Sequence, residues 1–306
     1  MNIFFIRTRL QCLIASQLVA TVAKNQPYHA VFLYQNSRDE ESPAVYRHYE
    51  RFRRAAYGSS DIVGSDGLTK NIVCILPNLW RSQRTGGCCY LSVVDSVPVA
   101  AALRLTPGLP LETFDDGFFN IHPGSRLYGM GPMSGFGVKR RLARILFPNG
   151  SVEWMRARSR SHHTIFPGRP NILPDQCIRS LELDWSQLLE PADRTKIVAG
   201  YNSIVLGTAH QDFPDPEASR QRAAMLLNDA DLYVRHPRET NWSEHAKICD
   251  FDSPAEAVLH ELAKHSKLIV HHFNSTTAVT MEGHANLRFV NQVDPETREL
   301  LCEPQQ

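Results

Sequence analysis

The chain has 306 residues, 42% of them hydrophobic and 21% charged, which describes an ordinary globular protein with room for two domains. Its 33 basic and 32 acidic residues leave a formal net charge of +1, so there is no electrostatic footprint for bulk nucleic-acid binding. The seven cysteines (Cys12, Cys74, Cys88, Cys89, Cys177, Cys249 and Cys302) are odd in number and form no CxxC. They read as reduced, mostly buried thiols of a cytoplasmic protein, not as a disulfide framework or a zinc site.

Asn2 to Ile6 is an apolar strand. Arg7 and Arg9 follow it and separate it from the next apolar run, an order unlike that of a signal peptide. No apolar stretch reaches about 18 residues, so no transmembrane helix is expected. Leu10 to Ala23 carries apolar residues at helical spacing, and Ala30 to Tyr34 is a second strand. This β-α-β opening predicts a parallel sheet with right-handed crossovers. Pro43 to Tyr57 is a basic, aromatic helix. Asn71 to Leu76 and Cys89 to Val94 read as strands, Val97 to Leu105 as a short helix, and Leu111 to Phe114 as a strand ending in Asp115-Asp116-Gly117.

The middle of the chain differs. Phe118 to Gly137 is glycine-rich loop, Val138 to Phe147 a basic amphipathic helix, and Val152 to Phe166 an irregular strand pair. Pro167 to Asp184 leads out of the first domain, and a connector lies near Leu183 to Arg194. A second α/β unit follows: strand Ser203 to Thr208, helix Pro216 to Asn228, strand Leu232 to Val234, and a helix from Ser253 to about Lys264. Ser253-Pro254-Ala255-Glu256 supplies its cap signals. Strand Lys267 to Val270, extended to Phe273, then a short helix Ala278 to Met281 and a strand Leu287 to Val290 complete the unit. The expected fold is α/β: two Rossmann-like domains, residues 1–185 and 195–306, facing across a cleft in the GT-B manner.

Four constellations carry chemistry. In open α/β sheets ligands bind outside the carboxyl ends of the strands. His236 sits just past such an end, between Arg235 and Arg238, with Pro237 fixing the backbone. That set suits a phosphate: fixed charge from the arginines, a transferable proton from the imidazole. The plain alternative is a solvated His-Pro turn, and a second His122-Pro123 shows how common the dipeptide is. Asp115 and Asp116 could supply a general base, or form an ordinary Asp-Gly turn. Residues Gly207, Thr208, His210 and Asp212 offer candidate bases and anion-binding amides, although Asp212 or Asp215 could equally cap the next helix. Ser275 and Thr276 stand at a strand-to-helix turn that suits an anion or plain N-capping. The pairs His162-His163 and His271-His272 are adjacent on strands and point to opposite faces, so neither forms a metal pair. No HExxH, phosphate loop or GxGxxG follows the expected strands.

Taken in order, an acid-acid-Gly turn, a His-Pro and a Ser/Thr turn resemble the short motifs of bacterial sialyltransferases. More closely, the chain resembles the lipooligosaccharide sialyltransferase family, glycosyltransferase family 52. The likeness runs through Thr113 to Gly117, Val138 to Arg144, His163 to Gly168, Val205 to Thr208, Tyr233 to Arg238, Ser253-Pro254 and Phe273 to Met281. It implies a GT-B fold, CMP-sialic acid as donor, inversion at the anomeric carbon, and neither cofactor nor catalytic metal. It also implies an acceptor-side N-terminal domain, a donor-side C-terminal domain, and a galactose-type terminus of a surface glycan as acceptor. On that reading His236 protonates the leaving phosphate. Gly207, Thr208, His210, Arg235, Pro237, Arg238, Ser275 and Thr276 bind the donor. The family's base follows the Val-Leu-Gly-Thr strand. Here His210 occupies that place, so Asp212 is assigned as base, with Asp115 and Asp116 as rivals. The N-terminus also departs, with Arg7 to Gln11 where the family has an aromatic residue and a proline. The basic run from Lys139 to Arg160 suggests contact with an anionic membrane surface or a lipid-linked acceptor, or simply a solvated face. Two further readings stay open: the same fold with another nucleotide-sugar donor, and a glycan- or nucleotide-binding protein without turnover.

Overall fold

The computed structural model describes residues 1–24, 26–34, 43–63, 67–92, 94–117, 120–123, 125–129, 145–198, 200–236, 239, 247–295 and 297. Residues 138–144 of the expected basic helix, most of the glycine-rich loop, Pro237, Arg238 and Cys302 lie outside the described residues. The chain divides into two compact units, Met1–Leu183 and a second from Asp184 onward.

The first unit runs β1 (Asn2–Ile6), α1 (Arg9–Thr21), β2 (Tyr28–Tyr34), α2 (Pro43–Ala55), β3 (Gly58–Val63), α3 (Leu68–Arg84), β4 (Cys89–Leu91), α4 (Val97–Arg104) and β5 (Leu111–Phe114). It continues with α5 (Arg126–Gly129), α6 (Ser151–Arg158), β6 (His162–Thr164) and β7 (Ile178–Ser180). The strands pair in the order β3-β2-β1-β4-β5-β6-β7, and every pair is parallel. β1 and β2 are buried along their whole length, which is why both read as unbroken apolar runs. Ile3 and Phe5 join Val31, Leu91 and Leu111 in a core on one face. Phe4, on the other face, stacks on Tyr90 with ring centroids 4.5 Å apart and meets Tyr28 and Phe52 edge-on. The strand order reverses between β1 and β4, the place where this topology opens a crevice. α1 starts there, on a capping box made by Thr8 and Gln11.

The second unit runs α7 (Pro191–Arg194), β8 (Ser203–Leu206), α8 (Pro216–Asp229), β9 (Leu232–Val234), β10 (Ile248–Cys249), α9 (Ala255–Leu262), β11 (Leu268–His272), α10 (Thr276–Thr280) and β12 (Leu287–Asn291). Its strands order as β10-β9-β8-β11-β12, again all parallel. Ile204, Leu206, Leu232, Val234 and Val270 pack with Val258 and Leu262 of α9 on one face. Val205, Tyr233 and Phe273 pack with Ala223 and Leu227 of α8 on the other. Helices thus cover both faces, and each unit is a Rossmann-like α/β sheet.

Several expected elements are corrected. Asn71 to Leu76 is not a strand but part of α3, where Asn71, Ile75, Leu79 and Ser82 are buried at helical spacing. Pro77 sits inside that helix; it deprives the Val73 carbonyl of its partner, and Val73 is on the exposed side where water can replace it. Val152 to Phe166 is a helix followed by β6 instead of a strand pair. Pro167 to Asp184 does not simply leave the domain, since it contributes edge strand β7. β3 and β10 were not expected at all. Ser253 does not cap α9, whose N-cap is Pro254. Instead its amide and hydroxyl both donate to Asp193 Oδ2 (2.6 Å each) while its oxygen accepts from the Glu190 amide at 2.8 Å. The expected connector is therefore fixed to the second unit, with Leu189 in its core. Of the described cysteines only Cys12 and Cys89 are buried; Cys74 is exposed and the others are half-buried.

Candidate active site

β9, β8 and β11 are neighbours, and the register sets Leu206 beside Val234 and Val205 beside His271. Their carboxyl ends therefore lie together on one edge of the second sheet. The segments that follow them are 207–212, 235–239 and 273–277, which hold three of the four constellations seen in the sequence.

His236 is half-buried just past β9. Its amide donates to Glu239 Oε2 (3.1 Å), and its carbonyl accepts from the Glu239 amide (2.9 Å). Glu239 is buried, and its Oε1 accepts from the Tyr233 hydroxyl at 2.5 Å and from His210 Nε2 at 3.0 Å. Burial, and then the negative charge of Glu239, push the Tyr233 phenol far up, so it stays protonated and donates. A carboxylate only accepts, so His210 carries its proton on Nε2, and in the neutral ring Nδ1 accepts from the Ser219 hydroxyl at 2.8 Å. Gly207 completes the packing: a Cβ there would collide with Glu239 Oε2 and crowd the Tyr233 ring at 2.9 Å.

His210 was expected to bind the donor, and the structure corrects that. It is 1% exposed with both ring nitrogens bonded inside the protein, so it holds the turn and does not face a ligand. Asp215 is the residue that caps α8, accepting from Glu217 N (3.1 Å) and Ala218 N (3.0 Å). Asp212 is thereby released from the capping role; it is exposed, at the end of a one-turn 3-10 helix, His210–Asp212. Thr208 is half-buried beside it. Arg235 pairs with Asp250 at 3.2 Å, so its charge is already partnered.

After β11, Asn274 takes a left-handed conformation (φ 55°) and Ser275 caps α10, its oxygen accepting from the Thr277 amide at 3.3 Å. The Ser275 amide is not available to an anion as expected, because it donates to His272 Nδ1 at 3.1 Å. The Ser275 hydroxyl proton and the Thr276 hydroxyl and amide are what this turn offers a ligand. Thr277 faces inward and donates to Glu256 Oε1 at 2.9 Å.

In the first unit the two adjacent acids have opposite environments. Asp115 is fully buried and accepts from Thr164 Oγ1 (2.9 Å), the Ile165 amide (2.6 Å) and His162 Nε2 (2.9 Å). His162 is held in turn by Thr113 Oγ1, 2.9 Å from Nδ1. Asp115 is a locked structural carboxylate and is removed from the candidate bases. Asp116 is half-buried, and Gln11 Nε2 donates to its Oδ1. The Gln11 amide cannot turn over, because its oxygen accepts from Arg7 N (2.6 Å) and Thr8 N (3.3 Å). Asn120 Oδ1 accepts from the Asp116 amide at 2.5 Å, and Gly117 supplies the left-handed turn (φ 89°). His163 points to the other face and meets Glu112 at 2.7 Å, a bond that with His163's charge holds the Glu112 carboxyl below its usual range despite burial.

Sequence reasoning missed Glu239, Tyr233, Ser219, Gln11 and His162. Gln11 had a readable signal in the Thr8-x-x-Gln11 capping box. Glu239 had none, since an acid after two arginines looks like surface charge. Among the described residues no group of three or more His, Cys, Asp or Glu could hold a metal ion. No helix among them is long and apolar enough to cross a membrane.

Residues 30–297 match Glycosyltransferase family 52. The chain is 26% identical over 302 residues to the N-acetyllactosaminide alpha-2,3-sialyltransferase of Neisseria meningitidis serogroup A, covering 94% of this chain and 76% of that one. It is 23% identical over 297 residues to the CMP-N-acetylneuraminate:beta-galactoside alpha-2,3-sialyltransferase of Pasteurella multocida, covering 95% and 90%. Among solved structures it is similar to LpCGTa in complex with UDP, with a TM-score of 0.44 at 12% identity, covering 99% of this chain and 89% of that one.

Proposed function

The chain belongs to glycosyltransferase family 52, and from that premise we propose that it transfers sialic acid from CMP-sialic acid to a galactose-type terminus of a bacterial surface glycan, with inversion. One observation carries this reading: the ends of three adjacent strands bring His236, the Thr208–Asp212 turn and the Ser275–Thr276 turn to a single sheet edge. The second unit is the donor side and the first the acceptor side. The names of the two relatives support both the donor and an α-2,3 product.

The chemistry follows from the leaving group. CMP departs with one phosphate, whose charge a proton and a few hydrogen bonds can take up, so the reaction is assigned no metal and no cofactor. His236 donates a proton to the phosphate oxygen as the glycosidic bond breaks. The Ser275 hydroxyl and the Thr276 hydroxyl and amide hold the remaining oxygens. Asp212, exposed beside this edge, takes the proton from the attacking acceptor hydroxyl, in line with departure. One observation favours Asp116 as a second reading for the base: the Gln11 amide is fixed so as to orient its carboxylate.

The acceptor is proposed to be lipid-linked and reached from the cytoplasmic face of the membrane, with Lys139, Arg140, Arg141 and Arg144 proposed to supply the lipid contact, since Arg156 and Arg158 further along donate to backbone carbonyls of the first unit. A liposome pull-down of the intact protein and of a variant with Lys139, Arg140, Arg141 and Arg144 charge-reversed tests this; equal binding removes it. The activity itself is tested with a donor panel and a β-galactoside acceptor. Release of CMP with formation of a sialylated product is expected, and turnover of a uridine diphosphate sugar with no CMP release would overturn it.

A further inference from the structure

We infer that Glu239 is the positioning residue of the leaving-group histidine: one buried carboxylate ties the turn after β9 to the turn after β8. The inference rests on the reading of His236 as proton donor. Glu239 is 8% exposed, and its two oxygens accept three hydrogen bonds. Oε2 takes the backbone amide of His236 itself (3.1 Å), and Oε1 takes the Tyr233 hydroxyl (2.5 Å) and His210 Nε2 (3.0 Å). The Glu239 amide returns to the His236 carbonyl (2.9 Å), so the carboxylate closes a tight ring around the residue whose side chain must reach the phosphate. The third strand of the link is steric. Gly207 lies so close to Glu239 Oε2 that any side chain there would displace the carboxylate.

The consequence is that the acid and the base candidate share one node. His210 begins the 3-10 turn that ends at Asp212, and Ser219 anchors His210 from α8. Because Ser219 gives His210 a second tether, a change at Glu239 falls on the turn that carries His236. A misplacement of about 1 Å in a catalytic group, caused by a change away from the chemistry, can cost about 100-fold in rate.

The test is a double-mutant cycle on the full-length protein, using Glu239→Gln, His236→Ala and the combined variant, with turnover referred to the folded fraction measured by circular dichroism. Glu239→Gln preserves shape, and its oxygen can still accept from Tyr233 and His210, so the fold survives, while its NH2 group meets the His236 amide and that link is lost. Expected are a drop in kcat of about 10- to 100-fold for Glu239→Gln with donor KM within about threefold, and no further loss when it is added to His236→Ala. A merely structural Glu239 would lower the melting temperature but leave turnover per folded molecule unchanged, or would multiply its effect onto His236→Ala; either result overturns the inference. If His236→Ala alone leaves transfer intact, the site reading fails instead. Should Glu239→Gln not fold, Tyr233→Phe removes one of the three donors and repeats the cycle, with about a three- to tenfold loss expected that again vanishes beside His236→Ala. A Tyr233→Phe loss that persists there overturns the inference in the same way.

Discussion

At the residue scale, the two neighbouring acids of the Asp-Asp-Gly turn should respond to substitution in opposite ways. Asp115→Ala leaves the His162 ring, the Thr164 hydroxyl and the Ile165 amide without their buried acceptor. Its expected cost is about 3 kcal/mol of stability, read as a lowered urea midpoint with unchanged slope. Asp116→Asn should leave the melt almost unchanged, because the half-buried side chain keeps an oxygen for Gln11. A kinetic comparison of Asp116 with Asp212 decides the base. Asp212→Asn is expected to lower kcat by about 10²- to 10⁴-fold with Asp116→Asn within about tenfold of the parent; the reverse ranking would move the base to the first unit. Sequence alone could place Asp115 and Asp116 side by side at a strand end but could not separate them. Their difference comes from β6, whose His162 and Thr164 arrive from 47 and 49 residues further along the chain.

At the element scale, the legible strands are mostly interior to their sheets, the edge strand β12 with its Leu-Arg-Phe-Val run being the exception. β1, β2, β8, β9 and β11 lie inside their sheets, so each shows a short apolar run between polar turns. β3, β7 and β10 are edge strands, β3 opening on the polar Gly-Ser-Ser-Asp and β10 only two residues long, and they leave no such trace. α3 failed for a different reason. Its run from Ile72 to Leu76 is apolar on both sides of the helix and ends at Pro77, which together imitate a strand closed by a breaker. The helix carries the proline at a measurable cost. Pro77→Ala restores a donor for the Val73 carbonyl and should stabilise the protein by about 1–3 kcal/mol, seen as a higher urea midpoint. A lower midpoint would mean that Pro77 is needed to shape the turn of chain, and that α3 is not the regular helix described. For the site, the same scale explains what was readable. A motif that follows a buried strand in a parallel sheet must emerge at the carboxyl edge, so the order of strands assembles His236, Thr208 and Ser275 without any knowledge of their side chains.

At the scale of the whole molecule, the acids and histidines that are held low all act in one direction as pH falls, and they are unevenly shared between the units. In the first unit, burial and the nearby Arg81 hold His29 below its ordinary value, and Glu112 is held low by its bond to His163. In the second, burial opposes ionisation of Asp193, but Ser253 and Lys196 outweigh it and hold the carboxyl low. Asp231 is held low by the amides of Asn202 and Ser203, and Glu261 by Lys264. His260 and His271 are held low by burial, His260 also by Lys264. A group whose folded value lies below its unfolded value adds stability above the unfolded value and loses it as pH falls through the folded one. The histidines therefore weaken the fold as pH drops below about 6.5, and the carboxylates add to this below about 4.5. Stability should be flat from neutral to mildly alkaline pH, decline in acid, and decline further as the carboxylates protonate. Several of these groups lie near solvent, so salt should soften the effect. The second unit holds more of them, and Asp193 and Ser253 clamp its entry segment. Acid should therefore open it first. Hydrogen exchange followed peptide by peptide from pH 7 to pH 4, corrected for the intrinsic rate, should show amides of β8, β9 and β11 losing protection before those of β1, β2 and β4. Asp193→Asn should narrow the gap, since it removes the charge that acid would otherwise titrate. If the first unit opens first, the balance of titrating groups is not what sets the acid stability of this molecule.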